Sequence, residues 1–177
     1  MSTPRSAATR KALAYGAAGL VFLLDRITKY IIQQQVAAGD SYTVIPGFFS
    51  IVHAENAGAA FSLFSTAQSE WRTFFLVGLS IGALVLITVL LWQPGGRIGE
   101  SRLLRTGLSL ILGGSLGNVY DRVVSGTVTD FLDFYLRAWH WPAFNLADSA
   151  ITVGAALVVL EMLRSKRPAP QSRCCPT

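Results

Sequence analysis

Residues 74–92, FFLVGLSIGALVLITVLLW, are the most informative stretch of this 177-residue sequence. The stretch has no charged residue, ends on a tryptophan and, as a helix, is long enough to cross the roughly 30 Å hydrocarbon core of a bilayer. The rest of the chain is similar in character, since 51% of its residues are hydrophobic and only 14% are charged. A soluble protein of this size has too little interior to bury that much apolar surface. The sequence therefore predicts an integral membrane protein.

Three further apolar stretches accompany this one. The spans are predicted at about residues 12–33, 72–93, 102–121 and 142–163, followed by a cytoplasmic tail at 164–177. The second span is uninterrupted and suits a position facing lipid, whereas the other three carry polar groups that lipid does not tolerate. Those groups should therefore face one another. The predicted fold is an all-α membrane protein, a single domain over residues 1–177 with four transmembrane helices.

Basic residues are distributed unevenly between the spans. They occur before the first span, between the second and third, and after the fourth, but residues 30–71 contain no Lys or Arg. The positive-inside rule then places both termini in the cytoplasm and the segments after spans one and three outside. The net charge of +5 does not indicate nucleic-acid binding, because the basic residues lie in short clusters rather than on one patch.

The first outer segment, at about residues 40–64, has β-type patterning. Runs at 41–45 and 48–53 flank the turn signal Pro46-Gly47, and a third run occupies 59–64. Ser65 and Gln68 have the spacing of a capping box that opens a short interfacial helix. A small extracytoplasmic sheet is therefore predicted. The second outer segment carries an aromatic girdle suited to the interface: Phe131, Phe134, Tyr135, Trp139, Trp141 and Phe144.

Polar residues at helical spacing occur in three of the spans at one predicted depth, under the outer interface. Each set falls on a single helical face. Convergence of so many polar groups at one depth is the strongest physical indication of a site. The residues are Asp25 and Lys29 in span one, Asn118 near the end of span three with Arg122 just after it on the same face as Gly114, and Asn145, Asp148 and Thr152 in span four.

Asp148 within a span and Asp130 in the preceding predicted loop can form a hydrolytic pair. Two carboxylates a few ångströms apart cannot both ionise cheaply, so one retains a proton. The ionised member can deprotonate a water while the protonated member polarises a scissile carbonyl. Which aspartate carries the shared proton is left open by the sequence.

Other catalytic chemistries have few suitable residues. His53 and His140 are the only histidines and do not form a His-Glu-x-x-His motif, so no metal site is predicted. A Ser–Lys dyad would have to use Lys29, which is better interpreted as the partner of Asp25, four residues earlier. Both histidines are interpreted as inert interfacial residues, and Asp133 as a solvated loop acid. No cofactor is expected.

Five blocks, in order, carry a resemblance to a known family. They are DRITK at 25–29, ENAGAAFS at 55–62, GGSLGNVYDR at 113–122, VTDF at 128–131 and FNLADS at 144–149. The sequence resembles lipoprotein signal peptidase, or signal peptidase II, the bacterial family that removes signal peptides from prolipoproteins. Each block alone is weak, but jointly they are highly specific.

The resemblance implies a four-span aspartic endopeptidase of the bacterial inner membrane with Asp130 and Asp148 as its catalytic pair. Its substrates would be prolipoproteins whose cysteine carries diacylglycerol, cut just before that cysteine. Membrane lipids and the peptide antibiotic globomycin are the other expected partners, nucleic acid is not, and a monomer is expected. The implied supporting residues are Asp25, Lys29, Asn56, Gly114, Asn118, Arg122, Asn145 and Ala147.

Two details extend this interpretation. Thr129 precedes the aspartate where the family pattern has an apolar residue, and its hydroxyl could alter hydrogen bonding to Asp130. Asn56, in a turn-forming stretch, and Arg122, at the end of span three, are expected to hold the lipidated part and backbone of the substrate rather than the reacting carbonyl.

Two other functional classes remain open at this point. A small proton-coupled transporter would use intramembrane acids as a relay, but it needs a site reachable from both sides, usually near the midplane. A non-catalytic lipid-binding scaffold would explain the polar cluster without requiring two carboxylates.

Overall fold

A computed structural model describes residues 4–58, 69–92 and 101–165 of the chain. Four helices and four strands make up this part of the protein. The helices are α1 (Pro4–Gln35), α2 (Ser69–Trp92), α3 (Arg102–Ser125) and α4 (Leu146–Ser165). The strands are β1 (Ser41–Ile45), β2 (Phe49–Asn56), β3 (Val128–Leu136) and β4 (Trp139–His140).

Helix α3 lies at the centre and contacts the other three helices. Small residues allow the close approach. A Cβ atom added to Gly107 would lie 2.7 Å from the carbonyl oxygen of Gly154 on α4. On its other side, a Cβ on Gly113 would collide with the backbone of Ala18 on α1. Both contacts require glycine for steric reasons, and they bring the polar faces of α1, α3 and α4 together.

The outer surfaces of the other helices are apolar. Large exposed side chains include Leu20 and Leu23 on α1, Val85 and Leu86 on α2, and Val159 on α4. In the described part of the chain, two helical stretches are long and apolar enough to cross a membrane, Ala7–Gln35 and Leu146–Arg164, and Val77–Trp92 is a shorter apolar stretch. An apolar exterior around a polar centre is the arrangement expected of a protein in lipid.

The sheet is antiparallel with strand order β1-β2-β3-β4, so both outer segments contribute to it. The predicted strands at 41–45 and 48–53 correspond to β1 and β2. The prediction of a loop around Asp130 and Asp133 is wrong, because both lie on β3. Residues Val128 to Phe131 are all buried, so the strand does not show the alternation that marks a sheet with one solvated face. The predicted strand at 59–64, the capping box at 65–68 and the Cys174-Cys175 tail lie outside the described residues.

The helix bounds differ from the predicted spans at several ends. Helix α1 is longer than residues 12–33, and α3 continues to Ser125 before Gly126 ends it in a left-handed conformation with φ 76°. Helix α4 begins at Leu146 rather than at 142. Thr152, predicted on the polar face of the fourth span, is exposed.

Candidate active site

Asp148 lies in the first turn of α4, and its carboxylate is held by a reciprocal cap with Asn145. The backbone N–H of Asp148 donates to Asn145 Oδ1 at 2.9 Å, and the backbone N–H of Asn145 donates to Asp148 Oδ2 at 3.3 Å. This is a capping-box arrangement with an aspartate in the usual glutamate position. It fixes both side chains at the start of the helix, where the helix dipole favours an anion.

Asp130 lies on β3 and is almost fully buried. Its two carboxylate oxygens accept hydrogen bonds from two different amides. Asn145 Nδ2 donates to Oδ1 at 2.7 Å, and Asn56 Nδ2 donates to Oδ2 at 2.9 Å. Asn145 therefore contacts Asp148 through its oxygen and Asp130 through its nitrogen, so one amide joins the two acids. Asn56, which is expected from the sequence to hold the substrate, contacts Asp130 directly.

Asn118 on α3 provides a second link. Its Nδ2 donates to Asp148 Oδ1 at 2.7 Å, and its Oδ1 accepts a hydrogen bond from Lys29 Nζ at 3.0 Å. A lysine ammonium can only donate, so Lys29 fixes which end of the amide faces Asp148. The buried cation on α1 thereby orients the donor to the acid on α4.

Lys29 also belongs to a charged cluster in which Asp25, Lys29 and Asp121 are buried and Arg26 is half-buried. Its Nζ lies 2.9 Å from Asp25 Oδ2 and 2.6 Å from Asp121 Oδ2. Asp121 pairs in addition with Arg26, whose guanidinium carbon lies 4.4 Å from the centre of the Tyr120 ring. The predicted Asp25–Lys29 pair is confirmed. Asp121 and Arg26 were missed, although Asp121 lies three residues after Asn118 and so shares its helical face.

Asp25 and the small residues Gly114 and Ala147 connect α4 to the bundle. The backbone N–H of Ala147 donates to Asp25 Oδ1 at 3.0 Å, which satisfies an N-terminal amide of α4. Ala147 has no exposed surface. A Cβ on Gly114 would collide with the Ala147 carbonyl oxygen, and one on Gly117 with the Asp25 carboxylate. These supporting residues set the distance between the charged cluster and the start of α4.

Arg122 lies one turn beyond Asn118 on α3. Its guanidinium donates to the Asn118 carbonyl oxygen at 3.1 Å, and its charge attracts the carboxylates of Asp148 and Asp130. Within the described part of the chain, no acceptor lies within hydrogen-bond geometry of its buried Nε. The guanidinium therefore has an unused donor next to the two acids.

Two polar residues on the strands are buried, and the expectation of a solvated loop acid at Asp133 is wrong. His53 is buried, with Nδ1 2.7 Å from the Val36 carbonyl oxygen and Nε2 2.9 Å from Glu55 Oε1. Asp133 is also buried, and its Oδ2 lies 2.9 Å from His140 Nδ1. Neither is a solvated surface group. The strand register that buries both cannot be read from the local sequence.

Burial raises the pKa of Asp130 from its ordinary value to about 6. The negative charge of Asp148 raises the pKa further, while the hydrogen bonds from Asn56 and Asn145 and the charge of Lys29 oppose the rise. An acid next to a second carboxylate, with a pKa closer to neutrality, suits proton transfer in hydrolysis. In residues 4–58, 69–92 and 101–165, no group of three or more His, Cys, Asp or Glu residues could hold a metal ion.

Comparisons with known proteins agree with the motifs. The sequence profile of the family described as "Signal peptidase (SPase) II" matches residues 17–164. The lipoprotein signal peptidase of Solibacter usitatus (strain Ellin6076) is 52% identical over 159 residues, covering 88% of this chain and 93% of that protein. The one from Paraburkholderia phytofirmans is 46% identical over 168 residues, covering 94% of each chain.

Two solved structures share the fold. Both are bacterial membrane enzymes determined by the in meso method. The first superposes with a TM-score of 0.78 at 29% identity and covers 93% of this chain and 95% of its own. The second gives 0.75 at 31% identity, with 88% and 95% coverage. The family that the motifs predicted is thus confirmed: this chain belongs to the signal peptidase II family of membrane peptidases.

Proposed function

We propose that Asp130 and Asp148 are the catalytic pair with which this peptidase removes signal peptides from prolipoproteins. Membership of the family supplies the reaction class. One observation supports the choice of residues: the side-chain amide of Asn145 accepts from the Asp148 backbone N–H and donates to the Asp130 carboxylate, so it links two acids from different elements. Peptide hydrolysis by an aspartic pair requires this proximity.

We assign the general acid to Asp130 and the general base to Asp148. The Asp148 carboxylate accepts hydrogen bonds at the start of α4 and from the amide of Asn118, and it is attracted by the charge of Arg122, so it is placed to receive a proton from water. Asp130 has a raised pKa and is favoured as the proton carrier. Asp148 takes a proton from a water as it attacks the scissile carbonyl, while Asp130 gives its proton to the carbonyl oxygen. The proton on Asp148 then passes to the leaving amine as the C–N bond breaks, and Asp130 regains its proton from a hydroxyl group of the gem-diol as that hydroxyl becomes the new carbonyl.

The substrate proposal is a prolipoprotein whose cysteine carries diacylglycerol, cut just before that cysteine. The unused Nε donor of Arg122, close to both acids, supports a role in holding a substrate carbonyl or head-group oxygen. We further propose that globomycin occupies this site and that the chain acts as a monomer with membrane lipids around it.

We propose four spans in the bacterial inner membrane, with both termini cytoplasmic and the acids near the outer face. Helices α2 and α3 each have 24 residues, or about 36 Å at 1.5 Å per residue, which is sufficient to cross. The polar residues of α3 lower its mean hydropathy. They are compatible with a membrane span because α3 lies at the centre and contacts the other three helices. Reporter fusions at Thr177 and near Asp40 should report opposite sides of the membrane, and matching results would overturn this topology.

The sequence left open two other functions, a proton-coupled transporter and a lipid-binding scaffold. Because the chain belongs to a peptidase family, we propose neither of them. The test of the residue assignment is cleavage of a synthetic S-diacylglyceryl lipopeptide by purified protein in detergent. Both Asp130→Asn and Asp148→Asn should abolish cleavage, while Asp40→Asn, an exposed acid, should retain it. Substantial turnover by either dyad variant would remove that residue from the pair.

A further inference from the structure

The face of the β2–β3 pair that lies opposite Asn56 and Asp130 carries a polar network that the reaction does not use. In the strand register, Ala54 pairs with Asp130 and Glu55 pairs with Thr129. Side chains alternate along a strand, and cross-strand partners share a face. Asn56 and Asp130 therefore lie on one face, and Glu55 and Thr129 on the other.

The Glu55 carboxylate connects three elements on this opposite face. Its Oε1 accepts from Thr129 Oγ1 at 3.1 Å and lies 2.9 Å from His53 Nε2, and its Oε2 accepts from Thr127 Oγ1. Thr129 Oγ1 in turn accepts from Gln33 Nε2 of α1 at 2.8 Å. The network thus joins the last residues of β2, the first residues of β3 and the end of α1.

Glu55 is ionised in this network. Burial raises its pKa, but the hydrogen bonds from Thr127, His53 and Thr129 outweigh burial, so the pKa lies below its ordinary value. The carboxylate thus accepts from every one of these partners at once. Hydrogen bonds to a charged group are stronger than those between neutral groups. A charged acceptor at the end of two paired strands resists fraying, which is greatest at the ends of an element.

The catalytic hydrogen bond from Asn56 to Asp130 depends on these strand ends. Asn56 is the last residue of β2, next to Glu55, and Asp130 follows Thr129 directly. A shift of either strand would change the 2.9 Å contact between Asn56 Nδ2 and Asp130 Oδ2. The family pattern has an apolar residue at the position of Thr129, and the sequence suggested that its hydroxyl could bond to Asp130. The hydroxyl bonds instead to Glu55 and Gln33.

We propose that Glu55 and Thr129 are positioning residues for the catalytic pair, acting as a clamp behind the sheet that holds Asn56 against Asp130. The proposal rests on the assignment of Asp130 as a catalytic residue. The clamp fixes one of the two amides that hold the Asp130 carboxylate. A displacement of even about 1 Å in catalytic geometry can reduce turnover roughly 100-fold.

The test uses Thr129→Val, which removes only the hydroxyl, together with Glu55→Ala and Glu55→Gln, assayed on the diacylglyceryl lipopeptide. Thr43→Val, on the exposed edge strand β1, is the matched control. We expect Thr129→Val and Glu55→Ala to lower kcat roughly tenfold, with KM changed less than about twofold. Glu55→Gln, which keeps an acceptor oxygen, should recover most of the lost kcat, and Thr43→Val should match the wild type.

The pH profile separates positioning from a purely structural role. The hydrogen bond from Asn56 lowers the pKa of Asp130, so loosening it should move the alkaline limb of kcat/KM to higher pH. The proposal would be overturned if Thr129→Val and Glu55→Ala fold normally and show the wild-type kcat and the wild-type alkaline limb of kcat/KM. Asp130→Asn is assayed in parallel. If Asp130→Asn still cleaves the lipopeptide, the catalytic assignment of Asp130 is wrong. If Asp130→Asn is inactive but Thr129→Val is unaffected, only the proposed positioning role of Glu55 and Thr129 is wrong.

Discussion

Two pairs of aspartates in the polar centre of the protein have different partners. Asp25 and Asp121 face Lys29 and Arg26, so two acids meet two cations. Asp130 and Asp148 form no salt bridge within the described residues and accept hydrogen bonds from asparagine amides instead, although the charge of Arg122 also attracts them. A nearby cation offsets the negative charge of a carboxylate, whereas a neutral amide offers a hydrogen bond without an opposite charge. The partners of an acid therefore distinguish the structural pair from the proposed catalytic pair.

The comparison is tested most directly by making the same substitution in each pair. Asp130→Asn should lower turnover at least roughly 1,000-fold, the scale seen when a catalytic group is removed, with little change in thermal unfolding. Asp121→Asn should lower the free energy of unfolding by about 3 kcal/mol, because it leaves buried cations with less compensation. Lipopeptide cleavage and thermal unfolding in detergent measure the two effects. If Asp130→Asn and Asp121→Asn lost equal activity per folded molecule, the distinction between a catalytic and a structural pair would be wrong.

The charged cluster itself predicts an asymmetry between its members. Lys29→Met leaves both Asp25 and Asp121 buried without their shared cation and should cost about 3–5 kcal/mol in stability. Asp25→Asn leaves Lys29 paired with Asp121, and Asn can still accept from the Ala147 amide, so we expect a loss of only about 1–2 kcal/mol. Thermal unfolding of both variants measures the difference. A larger loss for Asp25→Asn would show that Asp121 does not share the lysine.

Asn118 connects the two pairs, so its removal should affect turnover more than folding. Asn118→Leu keeps similar bulk but removes the donor to Asp148. Hydrogen bonds to charged groups are worth about 1.5–3 kcal/mol, so kcat should fall roughly 10- to 100-fold. Ser109→Ala is the control, since this buried serine of α3 bonds only to the Arg105 carbonyl oxygen of its own helix in the described structure. Wild-type kcat for Asn118→Leu would show that Asp148 does not need this donor.

A further expected effect is the pH dependence of the unmodified enzyme. The pKa of Asp130 is raised, so the pair keeps one proton up to about pH 6 and loses it above. The general acid is then lost, and kcat/KM should fall about tenfold per pH unit on the alkaline side. The contribution of Asp130 to the free energy of unfolding also falls with rising pH. A carboxyl with a raised pKa contributes stability at low pH that is lost as pH rises through about 6. A flat kcat/KM between pH 5 and 8 would contradict the assignment of Asp130.

The local part of the site could be predicted from sequence, and the non-local part could not. Asp25 and Lys29 are four residues apart on one helix, so their pairing follows from helical geometry. Asn118 and Asp121 share a face for the same reason, but only the packing of α1 against α3 shows that Lys29 is common to both. Asp130 looked like a loop residue because β3 is buried at its start and pairs with β2, more than seventy residues earlier.

The sequence alone determined that this protein is a membrane peptidase of the signal peptidase II family, because apolar run length, the distribution of basic residues and five ordered motifs are properties of the linear chain. Tertiary structure decided which acids pair with cations and which accept hydrogen bonds from neutral amides. That difference depends on contacts between α1, α3, α4 and the β2–β3 pair. The electrostatic state of a buried carboxylate is set by the groups within a few ångströms, and in this protein most of those groups are distant in sequence.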